Sequence, residues 1–133
     1  MRRDSNAMNK FHVLLVDDDV QLHELVEDAL LPLDARLSAV PTAEEGLEIA
    51  LSEQPTLILM DLLLPSPMKG WDAIARLKAN PQTAHIQTLA LTAASNESIL
   101  KALQAGADDY ISKPFSITQF QSHIMRIFGA GRK

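Results

Sequence analysis

The sequence predicts an α/β fold, a doubly wound parallel sheet of five strands with five helices on its two faces. Two observations carry this expectation. Leu57-Ile58-Leu59-Met60 is an unbroken apolar run that ends on Asp61, the pattern of a central strand buried on both sides. Around it, short apolar runs alternate with stretches whose apolar residues recur at helical spacing, and no internal repeat or interdomain linker interrupts them.

In chain order, Phe11 to Val16 forms the first strand and runs into Asp17-Asp18-Asp19. Leu22, Leu25, Val26, Ala29 and Leu30 then lie on one helical face, with Asp19 as N-cap and Pro32 as stop. Leu37 to Val40 is a modest second strand. Thr42 caps the next helix with Glu45 completing a Thr-x-x-Glu box, and Leu47, Ile49, Ala50 and Leu51 are assigned to its inner face. Gln54-Pro55 breaks the chain before the central strand.

Pro65-Ser66-Pro67-Met68-Lys69-Gly70 is a loop, because two prolines and a glycine fall in six residues. A helix from Trp71 to Ala79 ends at Asn80-Pro81, and Thr88 to Leu91 is a fourth strand ending on Thr92. Ser95 or Asn96 opens a helix through Ala105 that Gly106 terminates. Asp109 to Ser112 is the last strand, followed by Lys113-Pro114 and a helix from Ser116 through Phe128.

Composition narrows the function. A chain of 133 residues with 47% hydrophobic and 22% charged residues suits one domain with a sizeable core. The absence of cysteine removes disulfides and thiolate metal sites and fits a reducing cytosol, and neither a membrane-length apolar run nor a signal peptide is present, so the expected location is cytoplasmic. A net charge of −5 argues against direct nucleic-acid binding. Ser5-Asn6-Ala7 ahead of Met8 has the character of a cloning remnant, so residues 1–7 are set apart as a tag, 8–128 as the domain and 129–133 as a short tail.

Open parallel sheets bind ligands beyond the carboxyl ends of their strands, so the polar residues ending strands matter most. These are Asp17 and Asp18 after the first strand, Asp61 on the third, Thr92 on the fourth and Lys113 after the fifth. Three carboxylates against one ammonium leave a deficit of two charges, all on hard oxygen ligands. Mg²⁺, with Mn²⁺ as its substitute, is the natural counter-ion. A carboxylate beside such an ion is suited to nucleophilic attack on phosphorus, giving an aspartyl phosphate, with the Thr92 hydroxyl and the Lys113 ammonium as donors to the transferred group. Asp61 is the acceptor on this reading.

Val16-Asp17-Asp18, Asp61-x-x-x-Pro65, Leu91-Thr92-Ala93 and Gly106-Ala107-Asp108-Asp109-Tyr110-Ile111-Ser112-Lys113-Pro114-Phe115, in this order, resemble a CheY-like response-regulator receiver domain of two-component signal transduction. The resemblance runs from about Lys10 to Phe128. It implies a flavodoxin-like fold with strand order 2-1-3-4-5. It also implies phosphorylation of Asp61 by a histidine kinase or phosphotransfer domain. Direct Mg²⁺ contacts would come from Asp18, Asp61 and the Leu63 carbonyl, with Asp17 acting mainly through water. Lys113-Pro114 would be cis. Thr92 and Tyr110 would be the switch pair, changing the surface of the fourth helix, fifth strand and fifth helix for an output partner the sequence does not identify.

Three departures from the family pattern stand out. The loop after Pro65 is one residue longer than usual, Lys69 replaces the usual acid, and the stretch from Thr92 to Lys113 is about one residue shorter. Leu63 and Ala94 occupy the positions that, in this family, tune attack by water on the acyl phosphate; neither side chain orients water, which predicts a long-lived phosphoryl form.

Other residues have plainer roles. His12, His23, His85 and His123 share no face and are read as structural or surface, Trp71 as packing, and Asp108 and Asp109 as local hydrogen-bonding groups. The chain reads as a phosphoacceptor module more than an enzyme, with at most self-phosphorylation from small donors and autodephosphorylation. The alternatives are a pseudo-receiver that only binds proteins and a haloacid-dehalogenase-type phosphatase. The phosphatase motif Asp-x-Asp-x-Thr/Val meets Gln21 at its last position.

Overall fold

A computed structural model describes residues 10–65, 67–93 and 96–131. Residues 1–9, Ser66, Ala94, Ser95, Arg132 and Lys133 lie outside the described residues, and with them the expected tag, part of the long loop, one of the two residues expected to tune hydrolysis, one candidate helix start and the end of the expected tail. The strands are β1 (Phe11–Val16), β2 (Ala35–Val40), β3 (Leu57–Asp61), β4 (Gln87–Thr92) and β5 (Asp109–Ser112). The helices are α1 (Val20–Leu30), α2 (Ala43–Glu53), α3 (Gly70–Ala79), α4 (Asn96–Ala105) and α5 (Ile117–Gly131). All strand pairs are parallel, in the order β2-β1-β3-β4-β5.

Because strand side chains alternate, each apolar run feeds two cores. Val13, Leu15, Leu57 and Leu59 pack on one face with Val26, Ala29 and Leu30 of α1 and Phe120, Ile124 and Phe128 of α5. Leu14, Val16, Ile58 and Met60 pack on the other with residues of α2, α3 and α4. β3 is buried from end to end, Asp61 included, as its sequence predicts.

The helix ends follow their capping residues. Asp19 Oδ1 accepts the amide hydrogens of Gln21 (3.0 Å) and Leu22 (3.4 Å). After Leu30 a single 3-10 turn (Leu31–Leu33) contains Pro32, and Asp34 with φ 55° turns the chain into β2. β2 begins at Ala35, two residues before the expected Leu37. Edge position explains the difference, since Arg36 can pair within a strand there while its guanidinium reaches Glu53 at 3.7 Å. Thr42 caps α2, accepting from the Glu45 amide at 3.2 Å. Leu51, expected inside, is 43% exposed. The buried face of α2 consists of the small residues Ala43, Gly46 and Ala50, and Leu51 lies one helical step off it.

α3 begins at Gly70, one residue before the expected Trp71, and α5 runs to Gly131, beyond the expected Phe128. At the start of α5 the Ser116 and Gln119 side chains accept each other's amide hydrogens, at 3.0 and 2.9 Å. Gly106, at φ 115°, ends α4 with the paired bonds Gly106 N–H to Leu103 O (3.1 Å) and Ala107 N–H to Ala102 O (3.0 Å). Asp108 does more than the local bonding expected of it. Its Oδ2 accepts from the Thr88 amide at 2.8 Å and from Lys78 Nζ at 3.3 Å, and Lys78 Nζ also donates to Ile86 O at 2.7 Å.

His12 is buried in β1, with Nε2 2.8 Å from Ser38 Oγ and 3.5 Å from Glu53. Burial, and then the Arg36 charge, lower its pKa against the pull of Glu53. The folded state therefore holds this proton less tightly than the unfolded chain does. The stability His12 contributes is intact above the ordinary 6.5 and is lost as pH falls from there through the lowered folded value. Thermal melts should show the wild type losing a few degrees more than His12→Gln between pH 7.5 and 5.5, and equal losses would contradict this account.

Candidate functional site

From β1 the chain crosses to β2 on one side, while β3 pairs with β1 on the other, which opens a crevice at their carboxyl ends. Asp17 sits at that opening and is 1% exposed. Its amide donates to Val40 O at 3.0 Å, its Oδ1 accepts from the Asp19 amide at 2.9 Å, and its Oδ2 lies 2.7 Å from Lys113 Nζ. Its carbonyl oxygen lies 2.6 Å from His23 Nε2. Asp18, next in the chain, is exposed.

Asp61 ends β3 at 7% exposure. Its Oδ1 accepts from the Leu63 amide at 3.2 Å and lies 3.9 Å from Lys113 Nζ. No hydrogen bond to its Oδ2 is found among the described residues. Asp17, Asp18 and Asp61 can each offer an oxygen such that all three lie within 4.8 Å of one another. The set is all hard oxygen with two charges in excess over Lys113, which fits Mg²⁺ or Mn²⁺.

Lys113 is delivered by β5 and held at its backbone, where its amide donates to Thr92 O at 2.8 Å, and the Lys113-Pro114 bond is cis. Thr92 is buried at the end of β4, one residue past Leu91, the register partner of Asp61. Tyr110 stands apart. It pairs with Ala90, is 39% exposed, and lines a pocket of about 290 Å³ with His123 and Gln119 between β5 and α5. Leu63 projects outward at 52% exposure. The longer loop is closed by Lys69, whose Nζ donates to Leu64 O at 3.0 Å and whose amide donates to Asp72 Oδ2 at 3.1 Å. An apolar pocket of about 390 Å³, lined by Leu22, Leu25, Ala93 and Phe115, shares Lys113 with the acid cluster.

Two residues here escaped the sequence reading. His23 was one of four scattered histidines, and only the helical geometry of α1 brings its ring onto Asp17. Gly70 was read as a loop breaker, yet a Cβ on it would lie 2.2 Å from Asp61 O and 2.6 Å from Leu62 Cα. Only glycine lets α3 start this close to the end of β3. The glycine ending the Pro65 loop was the available signal.

Burial pushes the Asp61 pKa up, and repulsion from Asp17 and, less, Asp18 adds to it, against the pull of Lys113 and the Leu63 amide. A raised carboxyl means that the folded state binds the proton more tightly than the unfolded chain. The stability from this group falls as pH rises from the ordinary 3.8 through the raised value, and at neutral pH the charge is a net destabiliser. In EDTA at neutral pH, Asp61→Asn should therefore melt higher than wild type by about 2–5 °C. A lower melting temperature would show that the carboxylate is held favourably.

The sequence profile of the response regulator receiver domain matches residues 13–125. The probable chemotaxis protein CheY of Rhizobium etli is 31% identical over 123 residues, covering 91% of this chain and 95% of that protein. The KDP operon transcriptional regulatory protein KdpE of Escherichia coli is 35% identical over 114 residues, where 85% of this chain spans only 49% of the relative. Among solved structures, the receiver domain of a sensor histidine kinase from Pseudomonas aeruginosa, with magnesium ion coordinated in its active site cleft, matches at a TM-score of 0.80 and 30% identity, covering 90% of this chain and 98% of that one. A CheY-like receiver domain protein from Methanospirillum hungatei matches at a TM-score of 0.81 and 27% identity, with 92% and 97% covered. With this strand order and an acidic crevice at the carboxyl ends of β1 and β3, the chain belongs to the response regulator receiver domains of two-component signalling.

Proposed function

We propose that this receiver domain accepts a phosphoryl group on Asp61 in a Mg²⁺-dependent transfer from a histidine kinase or a phosphotransfer protein. The observation that carries the reading is the gathering of the Asp17, Asp18 and Asp61 oxygens within 4.8 Å beside the Lys113 ammonium. We assign the attack on phosphorus to Asp61 Oδ2. The new O–P bond forms as the P–N bond to the donor imidazole breaks, and the electron pair stays on the imidazole nitrogen. Lys113 and the Thr92 hydroxyl receive the oxygens of the transferred group. When bound, Mg²⁺ supplies charge neutralisation to the carboxylates and to the incoming phosphoryl oxygens. Asp18, Asp61 and the Leu63 carbonyl would hold it, with Asp17 behind them, locked between Lys113 and the Asp19 amide.

On this reading the protein is a cytoplasmic acceptor and switch more than a catalyst, and it neither enters a membrane nor binds nucleic acid by itself. Thr92 and Tyr110 connect the site to α4, β5 and α5, where an output partner binds. The outward Tyr110, at 39% exposure, is the state from which inward rotation starts.

Intact-mass measurement after incubation with Mg²⁺ and acetyl phosphate or phosphoramidate should show a gain of about 80 Da, one phosphoryl group. The gain should vanish in Asp61→Ala and in EDTA. Absence of a gain with either donor and with a cognate kinase would turn the reading to a protein-binding module. The exposed, apolar Leu63 beside the acceptor makes the acyl phosphate long-lived. Leu63→Asn should shorten its lifetime by about tenfold or more, by giving water an orienting partner. Rapid self-dephosphorylation of the wild type would contradict this.

A further inference from the structure

We infer that His23 is a positioning residue for the acidic crevice, acting through the peptide that joins Asp17 to Asp18. The Asp17 carbonyl oxygen can only accept, so at 2.6 Å His23 Nε2 carries the hydrogen and donates it. The other polar atoms of Asp17 are already engaged. Its amide is on Val40 O, its Oδ1 on the Asp19 amide, and its Oδ2 on Lys113.

His23 supplies the remaining contact, and it fixes a different thing from the rest. The carboxylate contacts set where the Asp17 charge lies. The carbonyl contact sets the plane of the Asp17–Asp18 peptide, and that plane carries the N and Cα atoms from which the Asp18 side chain leaves the backbone. Asp18 is exposed and, among the described residues, no side-chain hydrogen bond holds it. Its approach to Asp17 and Asp61 therefore depends on the backbone beneath it.

His23 is well placed for this. It lies on the first turn of α1, its own amide donates to Asp19 O at 3.2 Å, and its ring is half-buried against the loop it supports. The helix that Asp19 caps thus returns a side chain to lock the residues just before the cap. Outer groups that orient ligands in this manner typically change metal affinity by about ten- to a hundredfold when removed.

The inference rests on the proposed Mg²⁺ site, and its test separates the two. The proteins are wild type, His23→Leu, which fills the space without donating, and His23→Gln, whose amide nitrogen can replace Nε2. Mg²⁺ affinity is measured by calorimetry, and ¹H–¹⁵N spectra and melting are recorded in EDTA. Positioning predicts about tenfold weaker Mg²⁺ binding in His23→Leu and recovery in His23→Gln. In EDTA it predicts a displaced or broadened Asp18 amide signal in His23→Leu alone, with the signals of β3 and β4 in place. An unmoved Asp18 signal in His23→Leu overturns the inference whether or not metal binds. So does a Mg²⁺ affinity in that variant equal to wild type, or a failure of His23→Gln to restore either property. A wild type that binds no Mg²⁺ overturns the metal reading and removes this role from His23.

Discussion

The structure depends on a charge imbalance that the fold itself creates. β1 and β3 must be apolar to occupy the middle of a sheet covered on both faces, and both end in carboxylates before the chain reaches open solvent. Lys113, 2.7 Å from Asp17 and 3.9 Å from Asp61, meets one of these charges well and the other poorly. Its position in turn requires β5 to pair in register with β4, since its backbone hangs from Thr92. The site thus samples the whole order of the sheet from β2, through Val40, to the residue after β5.

Much of this architecture was legible because period and punctuation agree. The run Leu57 to Met60, the caps Asp19 and Thr42, and the break at Asn80-Pro81 each fix an element without knowledge of its neighbours. The misreadings share one cause. Leu51 was assigned inward because it is apolar, but the residues α2 buries are the small Ala43, Gly46 and Ala50, and Leu51 lies beside that face. Arg36 obscured the start of β2 because strand edges tolerate charge that strand centres do not. Both depend on what lies across the sheet, which a single chain does not state.

The site divides in the same way. That Asp17, Asp18, Asp61 and Lys113 come together was legible because strand ends converge by topology. His23 and Gly70 were not, since one acts through a backbone carbonyl and the other by lacking a side chain. Neither residue type announces such a role. The geometry also separates the Tyr110 ring, in a pocket with Gln119 and His123, from the crevice that Lys113 enters three residues later.

The bridge made by Asp108 gives the sheet a mechanical polarity. At the amino end of β4, one carboxylate oxygen grips the Thr88 amide and the Lys78 ammonium, and Lys78 in turn grips the carbonyls of Ala84 and Ile86. That end is clamped. At about 3.3 Å per residue, Thr92 lies roughly 13 Å further along the same strand, where the repelling carboxylates sit. β4 thus runs from a root held by neutralised charge to Thr92, whose carbonyl holds the amide of Lys113, the cation beside the unbalanced carboxylates. The strand therefore joins a place where charge is fully paired to one where it is not, and a ligand that balanced the carboxylates would act at the end of β4 away from the clamp.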